Sequence, residues 1–217
     1  MRRRFGVICI VLGICCLLSS IGFIVYNAWE ENRAENDSKI MVQNIQEQIK
    51  NIVSEENSAG DVVKVYEEEE VVETTEMIPQ EMQTMQIDGY ECIGILSIPV
   101  LELELPVLLD WSYTKLKVAP CRYYGSYYES DFVIAAHNYP AHFGRLSELQ
   151  QKDMILFTDV SGTVYCYEVV LLETLPGNAT KEMISSGFDL SLYTCTPGGS
   201  NRVTVRCNFV SKGDSAS

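Results

Sequence analysis

The chain has 217 residues, of which 47% are hydrophobic, and a formal net charge of −14. This length suffices for one ordinary domain plus an extra segment. The acidic balance excludes the basic surface that nucleic-acid binding requires, so we expect no nucleic-acid partner. The charge is uneven, because residues 27–90 alone contain 16 acidic and 4 basic residues.

The N-terminus combines three arginines with an uncharged apolar run at residues 5–26. As a helix this run would be about 33 Å long, enough to cross a hydrocarbon core of about 30 Å. It is longer than the apolar part of a secretory signal peptide, and no small-residue cleavage site follows it. We therefore expect residues 1–26 to form an uncleaved single-pass anchor in the cell membrane. The positive-inside rule predicts a cytoplasmic N-terminus and an extracellular remainder.

Residues 27–89 have the composition of an acidic stalk. Apolar side chains recur at intervals of three and four residues from 41 to 53, and four glutamates follow at 67–70. The spacing predicts an amphipathic helix. The like charges predict a solvated spacer. At the other end of the chain, the polar residues 211–217 are expected to form a tail.

The segment 90–210 is dominated by strand patterns and predicts a single mainly β domain. Seven runs rich in β-branched and aromatic residues are predicted as strands: 93–99, 102–108, 132–137, 154–159, 163–175, 190–195 and 202–210. Short helices are predicted at 113–118, 144–150 and 181–186. Many short strands separated by turn residues indicate a closed barrel or a sandwich.

Five of the eight cysteines lie outside the apolar run, and an odd number leaves at least one thiol unpaired within the chain. Cys195 is the best candidate nucleophile because it ends the strand 190–195 and precedes a six-residue turn. Arg202 opens the next strand, so a hairpin would place its guanidinium opposite the thiol. There it would favour the thiolate and offer donors to an oxyanion. For the other four, burial as apolar residues is expected: Cys92, Cys121, Cys166 and Cys207.

The chain contains two histidines, His137 and His142. A cysteine nucleophile needs an acid–base partner, since a leaving amine must be protonated. His137 follows the apolar strand that begins at residue 132, where a rigid scaffold can present a catalytic group. His142 lies in the loop that follows, and we expect it at the surface without a role.

Three segments carry a family resemblance, and they occur in the order that the family shows. They read IAAHN and FGRL within 134–146, LYTC at 192–195, and RVTV at 202–205. Together with the first two predicted strands they resemble the sortases, the cysteine transpeptidases of Gram-positive cell surfaces. Ser191 and Ala136 replace the threonine and the glycine that are usual in the family, and both are small changes.

The resemblance implies a closed eight-stranded β-barrel and a thioacyl-enzyme mechanism. Cys195 would be the nucleophile, His137 the acid–base group, and Arg202 the oxyanion or substrate ligand, while Thr194 would help to position the substrate. The implied substrates are secreted proteins with a C-terminal sorting signal of the LPxTG type, cleaved between Thr and Gly. The implied acceptor is the amine of a lipid-linked cell-wall precursor.

The resemblance implies no required cofactor. Some sortases bind calcium, but nothing in this sequence supports such a site beyond the conceivable ligands Glu148 and Asp153. An aspartate–proline–aromatic lid is absent from the sequence, which favours cell-wall anchoring over pilus assembly. Three alternatives stay open: a pilin-type sortase, a hydrolytic cysteine peptidase, and a non-catalytic membrane-tethered binding domain.

Overall fold

The computed structural model of the chain describes residues 2–59 and 81–214, with side chains for 10–54 and 81–213. The glutamate run at 67–70, and with it the acidic half of the expected stalk, lies outside the described residues. The last residues of the expected tail, 215–217, do so too. The limits assigned to the stalk and to the domain stay predictions.

Within the described residues, nine strands form one sheet. They are β1 Met85–Ile87, β2 Tyr90–Ile98, β3 Leu103–Leu108, β4 Cys121–Tyr124, β5 Phe132–Ala135, β6 Met154–Asp159, β7 Thr163–Pro176, β8 Leu190–Cys195 and β9 Asn201–Asp214. The strand order is β1-β2-β3-β4-β5-β8-β9-β7-β6, and β2 also pairs with β6. This last pairing closes β2 to β9 into a ring of eight strands with β1 attached outside it. The expected mainly β fold with eight strands in a closed ring is confirmed.

The differences from the predicted elements concern short segments. β1 and β4 were not predicted, since strands of three and four residues are too short to show an alternating pattern. Two of the predicted helices are single 3-10 turns, Lys115–Lys117 and Leu146–Glu148, and the third is the short helix α2, Thr180–Ile184. β9 continues four residues past the predicted end at 210.

The interior of the ring is filled by side chains that alternate along the strands. Ile134 of β5, Leu192 of β8 and Val205 of β9 are fully buried in one apolar cluster. Because side chains of a strand point alternately to its two faces, their sequence neighbours point outward. This alternation decides which residues of β5, β8 and β9 can meet a ligand on the outer face.

The turn between β6 and β7 follows from its own sequence. The Asp159 carboxylate accepts hydrogen bonds from the backbone N–H groups of Ser161 and Thr163, at 2.9 and 3.0 Å. Gly162 has a φ of +90°, which a residue with a Cβ rarely adopts. An aspartate with a glycine three residues later thus forms the turn of the β6–β7 hairpin.

The helix α1, Arg2–Ala59, is continuous and has two parts of different character. Its apolar part contains an 18-residue window of mean hydropathy 2.1, none of which is buried. By length and composition it is a candidate membrane anchor. The second part of α1 contacts the β domain.

The second part of α1 packs against the outer side of the ring. Met41, Ile45 and Ile49 are buried in a second apolar cluster that includes Leu108 of β3 and Cys121 of β4. The described half of the expected stalk is therefore docked on the domain. The amphipathic helix predicted there packs its apolar side chains on the ring. The solvated spacer was predicted from the glutamate run, which lies outside the described residues, so that expectation stays a prediction.

Replacement of Ile45 by alanine is expected to lower the free energy of unfolding by about 2 to 5 kcal/mol, since it removes buried contacts and leaves a cavity. Ile52→Ala is the matched control, because Ile52 lies on the same helix but is 40% exposed. Its expected cost is below about 1 kcal/mol. Urea unfolding of the full chain in detergent measures both, and equal costs would contradict the docking of α1.

Candidate active site

The register of three neighbouring strands aligns the three predicted catalytic residues. β5 and β8 are parallel, with Ala135 opposite Tyr193. β8 and β9 are antiparallel, with Cys195 opposite Arg202. Extension of the β5–β8 register by two residues brings His137 beside Cys195. The three backbones therefore form one row across strands that are about 4.8 Å apart.

The side chains of this row belong to the outer face of the ring. Ala136 and Thr194, which precede His137 and Cys195, are buried, and Val203 after Arg202 packs against the interior cluster. Since alternate residues of a strand point to opposite faces, the row itself points outward.

A cleft with a volume of about 220 Å³ contains Cys195 and Arg202. The thiol is partly exposed there, so a substrate can reach it. The rest of the lining consists of four aromatic residues, one leucine, residues before and within α2, and two alanines at the end of β5: Trp111, Tyr113, Tyr123, Tyr193, Leu116, Pro176, Gly177, Ala179, Thr180, Met183, Ala135 and Ala136. The ring of His137 does not belong to this lining, although the residue before it does.

Arg202 is held by the loop that joins β8 to β9. Its Nη1 donates to the carbonyl oxygens of Gly199 and Asn201, at 2.9 and 3.0 Å. Nε and Nη2 have no hydrogen-bond partner within the part of the chain that the structure describes, so they are available to a ligand. Gly177 lies against this loop, and a Cβ at Gly177 would lie 2.8 Å from the Ser200 carbonyl oxygen. The close approach of these two loops therefore requires glycine.

His137 begins a tight loop, and its imidazole stacks on the Tyr139 ring at a centroid distance of 4.6 Å and an angle of 11°. The loop is closed by hydrogen bonds from Phe143 N to His137 O and from Gly144 N to Tyr139 O, at 3.1 and 2.9 Å. A Cβ at Gly144 would lie 2.5 Å from the Asn138 carbonyl oxygen. This contact explains the glycine in the FGRL segment.

Burial is the main influence on the half-buried imidazole of His137, and it lowers the pKa. A hydrogen bond with the Asn138 side chain opposes this effect. The Lys117 ammonium lowers the pKa of His137 further, and the Glu30 carboxylate raises it. The neutral form is thus favoured, and charges on two other segments adjust the balance.

Thr194 is 3% exposed, and its hydroxyl donates to the Ala136 carbonyl oxygen at 2.9 Å. Ala136 N in turn donates to Tyr193 O at 3.2 Å. These two bonds fasten the residue before His137 to the strand that ends in Cys195. The Thr194 hydroxyl is already engaged in this hydrogen bond between two strands of the ring. A direct contact of Thr194 with substrate stays a prediction.

His142 is fully buried, so the expected surface position was wrong. Its Nε2 lies 3.2 Å from the Ser38 hydroxyl, which itself donates to the Val118 carbonyl oxygen at 3.0 Å. Burial lowers the pKa of His142 to about 4; the charge of His137 adds to this effect, and the Ala34 carbonyl opposes it. His142 is buried because α1 covers the loop that carries it.

Two further features near the site were not found from the sequence. Lys117 Nζ lies 2.6 Å from Glu30 Oε1, so α1 reaches the surroundings of His137. The aromatic lining of the cleft is held by ring contacts. Tyr123 packs edge-on against Tyr193 at 5.4 Å and at an angle of 46° against Trp111 at 5.5 Å. Both features join residues that are distant along the chain and leave no local pattern.

Arg206 shares the outer face with Arg202 but is not free to bind a substrate. It is 1% exposed and donates to Ser191 Oγ and to Glu173 Oε1, each at 2.8 Å, and to the Glu182 carbonyl oxygen at 2.7 Å. These bonds attach α2 to the sheet. The arginine opposite Cys195 is therefore the one whose donors can serve the cleft.

Three of the other four cysteines outside the apolar run differ from Cys195 in burial. Cys92, Cys121 and Cys207 are buried, and burial raises the pKa of Cys92 and of Cys121 to about 12. Such thiols stay protonated and out of reach of a substrate. Cys166 is partly exposed on β7, so its expected burial was wrong, and it lies outside the lining of the cleft.

The two conceivable calcium ligands have protein partners. Glu148 accepts hydrogen bonds from the Arg145 guanidinium, the shortest at 2.9 Å. Asp153 accepts one from the Gln150 N–H at 2.7 Å. Among the described residues no group of three or more acidic, histidine or cysteine side chains could hold a metal ion.

The chain thus folds as a closed ring of eight strands with a cysteine and an arginine paired at the ends of two neighbouring strands. The family described as the sortase domain matches the chain over residues 96–210, which is more than half of its length. The chain therefore belongs to the sortase family. Membership implies a cysteine transpeptidase in general terms, with sorting signals as substrates and cell-wall amines as acceptors.

Solved structures show the same fold. The sortase D5 transpeptidase of Clostridium perfringens matches with a TM-score of 0.56 at 15% identity, over 81% of this chain and 99% of that chain. Sortase C1 of Streptococcus agalactiae gives 0.51 at 25% identity, over 58% and 71%. Sortase A of Corynebacterium diphtheriae gives 0.51 at 24%, over 56% of this chain and 62% of that chain. No curated protein matches. The likenesses extend to several sortase types and do not select one.

Acidification from pH 6.5 to about pH 4 is expected to destabilise the fold by up to about 3 kcal/mol through His142. In this range the unfolded histidine takes up a proton, while the folded one, with a pKa lowered to about 4, stays neutral. Urea unfolding at several pH values measures the slope. The slope should be shallower in His142→Gln, and equal slopes would show that His142 is not its source.

The pair of Lys117 and Glu30 is expected to tune His137 in opposite directions. Lys117→Gln removes a cation and leaves the carboxylate, so the pKa of His137 should rise. Glu30→Gln does the reverse, and the pKa of His137 should fall. Proton NMR titration measures the pKa of His137 separately, because His142 is buried and its pKa is lower. Shifts of the same sign in both variants would contradict the assigned contacts.

Proposed function

We propose that this chain is a sortase-type transpeptidase that cleaves an LPxTG-like sorting signal between Thr and Gly. It then transfers the acyl group to the amine of a lipid-linked cell-wall precursor and so anchors surface proteins. One observation carries the proposal: a partly exposed Cys195 pairs in register with Arg202 inside a cleft, on the row that continues to His137.

In the first step the Cys195 sulfur, as thiolate, forms a bond to the threonine carbonyl carbon of the sorting signal. The carbonyl oxygen becomes an oxyanion. The free N–H donors of Arg202, on the opposite residue of the neighbouring strand, are suited to bind it, because fixed charged donors stabilise developing negative charge.

In the second step the bond between the carbonyl carbon and the glycine nitrogen breaks, and His137 gives its proton to the leaving amine. This step needs the imidazolium form of His137, which burial disfavours, so the reactive enzyme is the smaller, protonated fraction. A thioester on Cys195 remains. The acceptor amine then attacks the thioester, His137 takes up the amine's proton, and the sulfur leaves as thiolate. For both transfers the imidazole has to turn from Tyr139 towards the cleft, and the alignment of the backbones makes this a side-chain movement.

The location fits the same chemistry. We propose that the apolar part of α1 spans the cell membrane once, with a cytoplasmic N-terminus and an extracellular catalytic domain. Support comes from the three N-terminal arginines and from the length and hydropathy of the helix. Secreted substrates and lipid-linked precursors both occur at the outer face of that membrane.

The test is incubation of the full chain in detergent with sorting-signal peptides, with and without an added amine, and identification of products by mass. We expect a thioester on Cys195 and an aminolysis product that increases with the amine. Arg202→Ala should lower kcat/KM by about 100- to 1000-fold, as expected for an oxyanion donor.

Cys195→Ala should form no thioester, whereas Cys166→Ala, which removes another partly exposed thiol, should react as the unchanged chain does. Acylation that survives in Cys195→Ala would overturn the proposal. Hydrolysis of the peptide without aminolysis would indicate a cysteine peptidase and not a transpeptidase. Preference for a lysine side chain as acceptor would indicate a pilin-type enzyme.

A further inference from the structure

The contacts of α1 fix which side of the domain is nearest to the apolar segment. The apolar run ends at Tyr26, and Glu30 follows about 6 Å farther along the helix axis. Glu30 binds Lys117 in the connection between β3 and β4. About two turns beyond, Ser38 contacts Val118 and His142, and Gln46 then reaches Glu104 at 3.4 Å.

Residues around the cleft are therefore the first part of the domain to meet the helix after it leaves the apolar segment. Lys117 belongs to the same connection as Trp111 and Tyr113, which line the cleft with Cys195. The loop of His137 lies beside it, since Ser38 contacts both Val118, which follows Lys117, and His142 in that loop. The far part of α1, by contrast, packs on the ring away from the apolar segment.

Exposed aromatic side chains are concentrated on this side. Tyr26 and Trp29 on α1 are 53% and 56% exposed, and their rings lie 6.3 Å apart. Trp111 and Tyr113 are 40% and 80% exposed, with ring centroids 5.7 Å apart in an edge-on arrangement. Both tryptophans of the chain are in this set. Tryptophan and tyrosine are the residues that concentrate at the boundary between lipid and water.

We propose that Trp111 and Tyr113 rest in the headgroup layer of the bilayer that holds α1, so that the cleft around Cys195 opens at the membrane surface. The layer is about 5 to 8 Å thick on each side of the hydrocarbon core, which matches the short distance from Tyr26 to Glu30. The inference rests on the proposed membrane span and on the proposed function of the cleft. It names the lipid surface as the partner of the β3–β4 connection.

A cleft in this position takes its reactants from the membrane surface. A lipid-linked acceptor would enter without leaving the bilayer, and a sorting signal would reach Cys195 while its own chain is still held at the membrane. Lys117 bound to Glu30 and the stacked pair of His137 and Tyr139 would then lie at the edge of the headgroup layer.

The experiment uses the two tryptophans as depth probes in the full chain. Trp29→Phe leaves Trp111 as the single tryptophan, and Trp111→Phe leaves Trp29. Each variant is placed in phosphatidylglycerol nanodiscs that contain either unlabelled lipid or lipid with a nitroxide at the headgroup. We expect Trp111 to lose a fraction of its emission comparable with that lost by Trp29.

The control carries both replacements and Ile52→Trp, which puts the probe on an exposed position of α1 about 39 Å beyond Tyr26. Its emission should not respond to the nitroxide. If the emission of Trp111 responded as little as this control while that of Trp29 was quenched, the proposed docking of Trp111 and Tyr113 would be overturned. The proposed membrane anchor would then still stand. Insensitivity of Trp29 as well would overturn both. Failure of the proposed catalysis would appear separately, as absence of a thioester on Cys195.

Discussion

The pairing of β8 with a parallel neighbour on one side and an antiparallel neighbour on the other is the constraint on which the site depends. It puts Cys195, Arg202 and the position of His137 in one row on one face. A shift of either register by one residue would turn the shifted strand's side chain into the interior. The bond from Thr194 to Ala136 holds this register where β5 has already ended.

The second constraint is the cover that α1 provides. The helix excludes water from His142, and Ser38 contacts its ring, so the pKa of His142 is lowered and the neutral form is favoured. The loop that carries His137 is packed against His142 through Tyr139, whose ring lies 5.7 Å from that histidine. The helix that would anchor the chain is thus also part of the scaffold that supports the candidate acid–base residue.

The sequence was sufficient where the information is local. The alternation in 190–195, the turn after it and the restart of a strand at Arg202 predicted the hairpin that pairs Cys195 with that arginine. It was insufficient where contacts join distant segments. Ser38 and His142 are separated by 104 positions, and Glu30 and Lys117 by 87. No periodicity in either segment shows such a contact, so the docked helix and the buried histidine had to come from the structure.

The central claim is that a thiol and a guanidinium share one cleft, which the neighbouring imidazole of His137 reaches by a movement of its side chain. A crystal structure of the full chain with a thiol-reactive sorting-signal mimic tests it most directly. The account predicts a covalent bond to Cys195, the mimic's oxygen hydrogen-bonded to Arg202, and the imidazole of His137 turned from Tyr139 towards the adduct. An adduct on another cysteine, or one out of hydrogen-bond reach of both partners, would contradict it.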